Sequence, residues 1–274
     1  MFTRDETFEI DVDSHCIAAT LIVPDTRMPG VLFLHGWGGN QAQYASRARE
    51  IAALGCACLT VDMRGHAKTA VQQATVTRED NLNDALAAYD RLVREAAVDD
   101  DQIAVVGSSY GGYLATILTT LRPVKWLGLR APALYKDSDW DAPKLALRQL
   151  QNLETYRRAR IAVDGNRALR AAAGYRGDVL IVESERDVIV PHPVIQSYRE
   201  AFAHTRSLTY RMIDGADHGL TDPECRRAYT TILVNWITEM VAGKRAVDAT
   251  AQSRRQDAMK AQVRATNAKV AVPR

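Results

Sequence analysis

Residues 107–112, with the sequence GSSYGG, constrain the fold of this 274-residue chain more than any other stretch. They follow the apolar run 103–106 and precede the helix-type segment 113–118. Strand, glycine turn and helix in this order place Ser109 of the G-x-S-x-G pattern on a turn so sharp that its neighbours two positions away have to be small. The pattern therefore predicts a nucleophilic hydroxyl on Ser109. The alternative is a plain Gly/Ser turn that caps a helix.

Apolar runs and helix-type segments alternate along most of the chain. After a predicted hairpin, continuous apolar runs typical of buried parallel strands lie at residues 31–34, 56–61, 103–106, 126–129 and 179–182. This alternation predicts an α/β fold with a mostly parallel central sheet and helices on both faces. Thr77 with Asp80, and Thr221 with Glu224, have the spacing of helix-capping boxes.

Three loops that follow predicted strands carry side chains suited to acyl transfer, and they come in the order Ser109, Asp187, His218. A serine nucleophile needs a base to take its proton and a carboxylate to orient that base. We expect Ser109 to attack, His218 to act as the base and Asp187 to orient it.

Other residues compete for the base and acid roles. His35 and His66 lie in loops that precede the nucleophile, and His192 lies between two prolines, where a surface position is expected. The other candidate acids in the same loops are Glu183, Glu185, Asp214 and Asp217. Asp187 is favoured because it lies just past the penultimate strand, and His218 because it follows the last one.

A developing oxyanion needs N–H donors from a loop with little side-chain bulk. The glycine-rich loop 36–39 fits this need, since its backbone can face the serine. We predict that the backbone N–H groups of Trp37 and Tyr110 form the oxyanion hole. A plain glycine turn is the alternative for the first of these loops.

Five motifs in this order together resemble the α/β-hydrolase superfamily: HGWGG at 35–39, DMRGH at 62–66, GSSYGG at 107–112, Asp187 before a Val-Pro pair, and DHG at 217–219. The Ser-Tyr-Gly-Gly turn is similar to those of the prolyl oligopeptidase-like, dienelactone hydrolase-like and feruloyl-esterase-like branches. The resemblance spans about residues 6–243 and implies the α/β-hydrolase fold. Ala67 departs from it, because D-x-R-G-H is commonly followed by glycine.

The strand alternation is interrupted once and ends before the C-terminus. Residues 136–177 combine helical leucine spacing with nine Lys/Arg and five Asp/Glu, and we expect a small helical lid whose Trp140, Leu145 and Leu150 line an acyl pocket. Residues 244–274 carry eight Lys/Arg and two Asp/Glu, and we expect a basic tail, solvated or disordered, outside a single hydrolase domain over residues 1–243.

Composition narrows the function classes. A net charge of +2 with 47% hydrophobic residues predicts no nucleic-acid or membrane partner. The chain shows neither a leader pattern nor an apolar run of about 18 residues, so a cytoplasmic protein is expected. The four cysteines lack metal-ligand spacing and are predicted to be reduced core thiols, and we expect neither a metal nor a cofactor.

These features together predict a serine hydrolase that acts on a carboxylic ester of a small or medium acyl group. A peptidase, a thioesterase or an acyltransferase would share the same triad and the same first half-reaction. A binding protein that kept the pocket without turnover is the opposing class, and the matched acid and base argue against it.

Overall fold

The computed structural model describes residues 3–13, 15–24 and 28–243. The chain divides into two compact units, Met1–Val234 and Asn235–Arg274. Of the second unit the structure describes residues 235–243, which are helical. The predicted tail at residues 244–274 lies outside the described residues, so the tail and its boundary stay predictions.

The first unit is built on an eight-stranded sheet in the order β1-β2-β4-β3-β5-β6-β7-β8. β1 pairs with β2 and β2 with β4 in antiparallel register, and the other neighbours are parallel. The strands are β1 Thr3–Val12, β2 His15–Pro24, β3 Met28–Leu34, β4 Ala57–Val61, β5 Val98–Ser108, β6 Trp126–Arg130, β7 Asp178–Ser184 and β8 Ser207–Ile213. The predicted α/β-hydrolase architecture with a mostly parallel sheet is confirmed.

From β3 onward, helices alternate with the strands along the chain, and one more helix follows the last strand. They are α1 Ala42–Ala53, α2 Arg78–Val93, α3 Tyr110–Leu118, α4 Leu147–Leu150, α5 Leu153–Arg158, α6 Arg167–Gly174, α7 His192–Ala201 and α8 over residues 223–243. Short 3-10 helices span Ala67–Ala74, Lys144–Ala146 and Val163–Gly165. Every residue of β4, β6 and β7 is buried, because helices cover both faces of the sheet.

Of the two predicted capping boxes, the one at the start of α2 is present and the one at the start of α8 is not. The capping box of Thr77 and Asp80 at the start of α2 is present in full. The box predicted for Thr221 and Glu224 is wrong: Thr221 donates to Asp217, and Asp222 accepts the Glu224 N–H at 2.7 Å. Asp222 therefore caps α8, since a carboxylate at this position accepts the free N–H groups of the first turn.

Three of the four cysteines are buried as predicted, namely Cys56, Cys58 and Cys225. The prediction is wrong for Cys16, which is exposed on β2 and donates to Asp11 at 3.1 Å. All four are free thiols.

Among the helices of the described residues, none has the length and apolar character needed to cross a bilayer.

Candidate active site

Ser109 sits between β5 and α3 in a strained backbone conformation, with φ +52° and ψ −113°. The turn is so tight that a Cβ on Gly107 would lie 2.4 Å from the carbonyl oxygen of Gly111. A Cβ on Gly111 would lie 2.2 Å from the carbonyl oxygen of Leu34 on the neighbouring strand. Both glycines of G-x-S-x-G are therefore steric requirements of this turn, as the sequence predicted.

The structure brings Ser109, His218 and Asp187 together in one hydrogen-bonded chain. The Oγ of Ser109 lies 2.9 Å from the Nε2 of His218, and the Nδ1 of His218 lies 2.6 Å from the Oδ2 of Asp187. An ionised Asp187 accepts the Nδ1–H of the ring, which leaves Nε2 free to accept the serine hydroxyl. Along the chain, His218 is separated from Asp187 by 31 positions and from Ser109 by 109 positions. The three residues meet because each lies in a loop that follows the carboxyl end of a parallel strand.

Asp187 is fixed by its own loop. Its Oδ1 accepts the backbone N–H groups of Ile189 at 2.9 Å and Val190 at 2.8 Å. The Asp187 side chain is 2% exposed, whereas that of His218 is 18% exposed. The carboxylate is thus shielded from water and faces His218 with its second oxygen, while the imidazole stays accessible from the cavity.

The competing histidines have other partners. His35 accepts the Met63 N–H on Nε2 at 3.1 Å and its Nδ1 donates to the Gly36 carbonyl at 2.8 Å. Burial, followed by the neighbouring His66, lowers the pKa of His35 to about 4, so the ring is neutral. His192, at the start of α7, has a half-exposed side chain, and its Nδ1 lies 2.8 Å from the Oε1 of Glu183 on β7.

The competing carboxylates are engaged elsewhere. Glu183 accepts from Tyr210 at 2.5 Å as well as from His192, and Glu185 accepts the Gly215 N–H at 2.5 Å. Asp217 accepts the N–H of Thr221 at 2.9 Å. Within the described part of the chain, Asp187 provides the one carboxylate that is hydrogen-bonded to the His218 ring.

The loop that carries Trp37 packs directly on Ser109. A Cβ on Gly36 would lie 3.3 Å from the Cβ of Ser109, and the Gly39 N–H closes the loop onto the Gly36 carbonyl at 2.9 Å. The Trp37 ring meets the Tyr110 ring edge to face at 5.8 Å between centroids. Among the described residues, neither the Trp37 nor the Tyr110 backbone N–H donates to a backbone carbonyl in the turns and loops.

His66 holds this loop from behind. Its Nε2 accepts the Gly38 N–H at 3.0 Å, and its Nδ1 donates to the Arg64 carbonyl at 3.1 Å. Burial lowers the pKa of His66, which keeps the ring neutral and able to accept. Arg64 is in turn anchored to α2 by a buried ion pair with Asp84 at 2.6 Å. The DMRGH segment thus acts as a support for the Trp37 loop.

Ala67 follows that segment in a left-handed conformation with φ +47°. Glycine commonly occupies this position in the superfamily pattern, and the positive φ explains why: it costs an L-residue about 1–2 kcal/mol. The loop therefore keeps the glycine-type backbone even though alanine occupies the position.

Two cavities meet at Trp37, Ser109 and His218. The first, which we call the arginine cavity, measures about 370 Å³ and is lined by Gln43, Tyr44, Arg47, Arg130, Arg226 and Tyr229 among others. The second, which we call the lid cavity, measures about 570 Å³ and is lined by Tyr135, Lys144, Leu145, Leu153, Arg157 and Ile189 among others. A substrate bound at the serine can extend into both.

Lys144 is a buried cation in the lid cavity, at 6% exposure. Its Nζ lies 4.4 Å from the centroid of Trp37 and 4.9 Å from those of Tyr110 and Tyr135. Burial lowers the pKa of Lys144. Burial alone would raise the pKa of Tyr135, but the charges of Lys144 and Arg157 outweigh it and lower that pKa.

Of the three apolar residues predicted to line the acyl pocket, the structure places one in the lining of the lid cavity. Leu145 lines the lid cavity, whereas Trp140 and Leu150 are absent from its lining. Trp140 packs against Tyr113 and lies under the Arg78 guanidinium at 4.5 Å. Leu150 is 61% exposed.

The described residues hold no group of three or more His, Cys, Asp or Glu side chains placed to bind a metal ion.

A sequence model of the family described as serine aminopeptidase, S33, matches residues 28–164, half of the chain. The chain belongs to this family. It is accordingly a member of the α/β-hydrolase superfamily, and its sheet has the topology of that fold.

Curated relatives are uncharacterized proteins from two strains of Mycobacterium tuberculosis, each 28% identical over 198 residues. The match covers 72% of this chain and 64% of each relative, so the chain spans less than two thirds of their length.

Solved structures of similar fold include Est1E from Butyrivibrio proteoclasticus with ferulic acid bound. It superposes with a TM-score of 0.64 at 19% identity, over 87% of this chain and 99% of that one. The dienelactone hydrolase from Anabaena variabilis superposes with a TM-score of 0.62 at 18% identity, over 86% of this chain and 98% of that one. At these identities the likeness concerns the fold.

Proposed function

We propose that this hydrolase cleaves a carboxylic ester of a small or medium acyl group through an acyl-enzyme on Ser109. The observation that carries the proposal is the chain of short contacts from Ser109 Oγ to His218 Nε2 at 2.9 Å and from His218 Nδ1 to Asp187 Oδ2 at 2.6 Å. In this arrangement a base can remove the serine proton while a buried carboxylate stabilises the charge that forms on the base.

In the first half-reaction Ser109 Oγ bonds to the substrate carbonyl carbon as its proton passes to His218 Nε2. The carbonyl oxygen becomes an oxyanion that the N–H groups of Trp37 and Tyr110 stabilise. The ester C–O bond then breaks, and the leaving alcohol takes the proton from His218. In the second half-reaction water attacks the acyl carbon, gives one proton to His218, and the proton returns to Ser109 as the acid leaves.

The N–H groups beside Ser109 support the oxyanion assignment. Removing one such donor typically costs about 2.7–4 kcal/mol of transition-state stabilisation. The packing of Gly36 against Ser109 and the His66 bond to the Gly38 N–H give this loop a fixed position before substrate binds. Such preorganisation is what makes electrostatic stabilisation effective.

A peptidase is the second candidate, because the family description names an aminopeptidase. An aminopeptidase must bind the α-ammonium group of its substrate close to the serine. The two cavities are instead lined by seven Lys/Arg side chains and by one acid, Glu154, which is paired with Arg158 at 2.6 Å. This charge distribution disfavours a substrate with a free ammonium group and supports an ester.

The lid cavity supports a role for residues 136–177 in acyl selection. Lys144, Leu145, Leu153 and Arg157 of this segment line the same cavity as Ser109. Apolar contacts of Leu145 and Leu153 with an acyl chain would set its preferred length.

A panel of simple esters, acyl thioesters and aminoacyl amides, assayed with the wild type and Ser109→Ala, tests the proposal. Esters should give the highest kcat/KM, and Ser109→Ala should lower it at least about a thousandfold. A folded Ser109→Ala variant that keeps ester hydrolysis contradicts the mechanism. A higher kcat/KM for the amides or the thioesters selects the peptidase or the thioesterase instead, and acyl transfer to an added alcohol in preference to water selects the acyltransferase.

A further inference from the structure

The arginine cavity concentrates positive charge beside Ser109. Its lining includes three guanidinium groups, from Arg47 on α1, Arg130 at the end of β6 and Arg226 on α8, and no Asp or Glu side chain. These residues are far apart in the sequence and meet only in the folded chain. A cavity of this charge beside a nucleophile concentrates and orients anions.

Arg130 carries the strongest part of the argument because it is buried, at 7% exposure. Its Nε donates to the Ser108 hydroxyl at 2.6 Å and its Nη1 donates to the Ser184 hydroxyl at 3.4 Å. Among the described residues no carboxylate lies within ion-pair distance of it. Hydroxyl groups satisfy two of its donors but leave its charge uncompensated, which costs stability in a buried group.

Two other buried arginines of the described residues have partners of a different kind, although the Nη2 of Arg157 has no hydrogen-bond partner. Arg64 has an ion pair with Asp84 at 2.6 Å. Arg157 donates to the carbonyl oxygens of Leu134 at 3.0 Å and Ile189 at 3.1 Å. Arg130 has neither a carboxylate nor a backbone carbonyl as partner, and it lies at a cavity that reaches Ser109.

The guanidinium groups of Arg47 and Arg226 are held in position by uncharged partners. Arg47 donates to the Gln43 carbonyl at 2.8 Å and lies over the Tyr229 ring at 4.8 Å. Arg226 donates to the carbonyl oxygens of Leu220 at 3.1 Å and Thr221 at 3.0 Å. Their orientation is therefore set before a ligand arrives, as a preformed site requires.

We propose that the substrate carries a carboxylate on the half that enters the arginine cavity, where Arg47, Arg130 and Arg226 bind it. This inference rests on the proposed function and names the substrate class of the same site. The planar fork of a guanidinium matches the geometry of a carboxylate, and bonds between charged partners are about twice as strong as neutral ones. At about 370 Å³ the cavity accepts a small carboxylate-bearing group.

Two matched pairs of substrates test the proposal and locate the carboxylate. On the acyl side, para-nitrophenyl hemiadipate is compared with para-nitrophenyl hexanoate. On the leaving-group side, para-carboxyphenyl acetate is compared with para-carbamoylphenyl acetate. In one pair the carboxylate member should have a kcat/KM at least about tenfold higher, and high salt should reduce this preference.

The variants Arg47→Gln and Arg226→Gln should each lower that ratio about tenfold, because each removes one charged donor. The chain offers a matched control for each. Arg49 lies on the same helix as Arg47 and faces Asp5 at 3.3 Å, and Arg227 follows Arg226 and pairs with Glu224. Arg49→Gln and Arg227→Gln should leave the ratio unchanged.

The proposal is overturned if neither carboxylate substrate is preferred, or if the preference in the double variant Arg47→Gln/Arg226→Gln, which keeps Arg130, is as large as in the wild type. Failure of the proposed function has a different signature, namely the absence of Ser109-dependent hydrolysis of all four esters. Hydrolysis that depends on Ser109 but ignores the carboxylate rejects this inference alone.

Discussion

Acidification should destabilise the fold through His35. Its side chain is fully buried, and burial together with the neighbouring His66 lowers its pKa from 6.5 to about 4. Because the folded pKa lies below the unfolded one, the unfolded chain binds a proton in this window that the folded chain does not. The free energy of unfolding therefore falls as the pH drops from 6.5 towards 4, and His35 contributes no further change below that. Between pH 7.5 and 4.5 the loss from His35 is about 2.5 kcal/mol.

The measurement is urea unfolding at pH 7.5 and pH 4.5 for the wild type, His35→Gln and His204→Gln. Glutamine cannot be protonated in this range, so His35→Gln should lose about 2.5 kcal/mol less on acidification than the wild type. His204 is exposed, and His204→Gln should behave as the wild type does. Since the wild type and His35→Gln share every other titrating group, an equal loss in these two proteins would refute the reasoning, whatever their absolute stabilities.

Three further predictions concern the loop, the lid segment and the tail. Ala67→Gly should raise the free energy of unfolding by up to about 1 kcal/mol, because it relieves a positive φ, and a loss of 1 kcal/mol or more in urea unfolding would contradict this. Leu145→Ala should reorder kcat/KM across an acyl-length series by about 1–3 kcal/mol, while Leu150→Ala, which is also exposed but lies outside the cavity lining, should not. If both leucine variants scale all substrates by one factor, residues 136–177 do not select the acyl group. Truncation after Gly243 should leave kcat/KM within a few-fold, and a collapse in folded protein would show that residues 244–274 pack on the hydrolase domain.

Much of the fold was predictable because its signals are local. The apolar run, the glycines and the helix pattern around Ser109 lie within about fifteen residues, and each is required by the turn that the structure contains. Asp187 and His218 could be placed next to Ser109 for a topological reason. Loops at the carboxyl ends of neighbouring parallel strands meet at one edge of a sheet, whatever their separation in the sequence.

The cavity linings could not be predicted in the same way. Arg47, Arg130 and Arg226 come from two helices and a strand end, and no spacing in the sequence relates them. In residues 136–177 the helices are short and irregular, so periodicity did not indicate which side chains face the serine. Trp140, predicted to line the acyl pocket, lies instead against Arg78, and the Lys144 side chain is buried against Trp37.

The central claim, that Ser109 is the nucleophile activated by His218, is tested most directly by a fluorophosphonate probe followed by intact-mass and peptide analysis. The wild type should gain one adduct, located on Ser109, and the rate of labelling should fall strongly in His218→Ala. A folded Ser109→Ala variant should gain none. An adduct of equal yield in Ser109→Ala, or an adduct mapped to another residue in the wild type, would contradict the account.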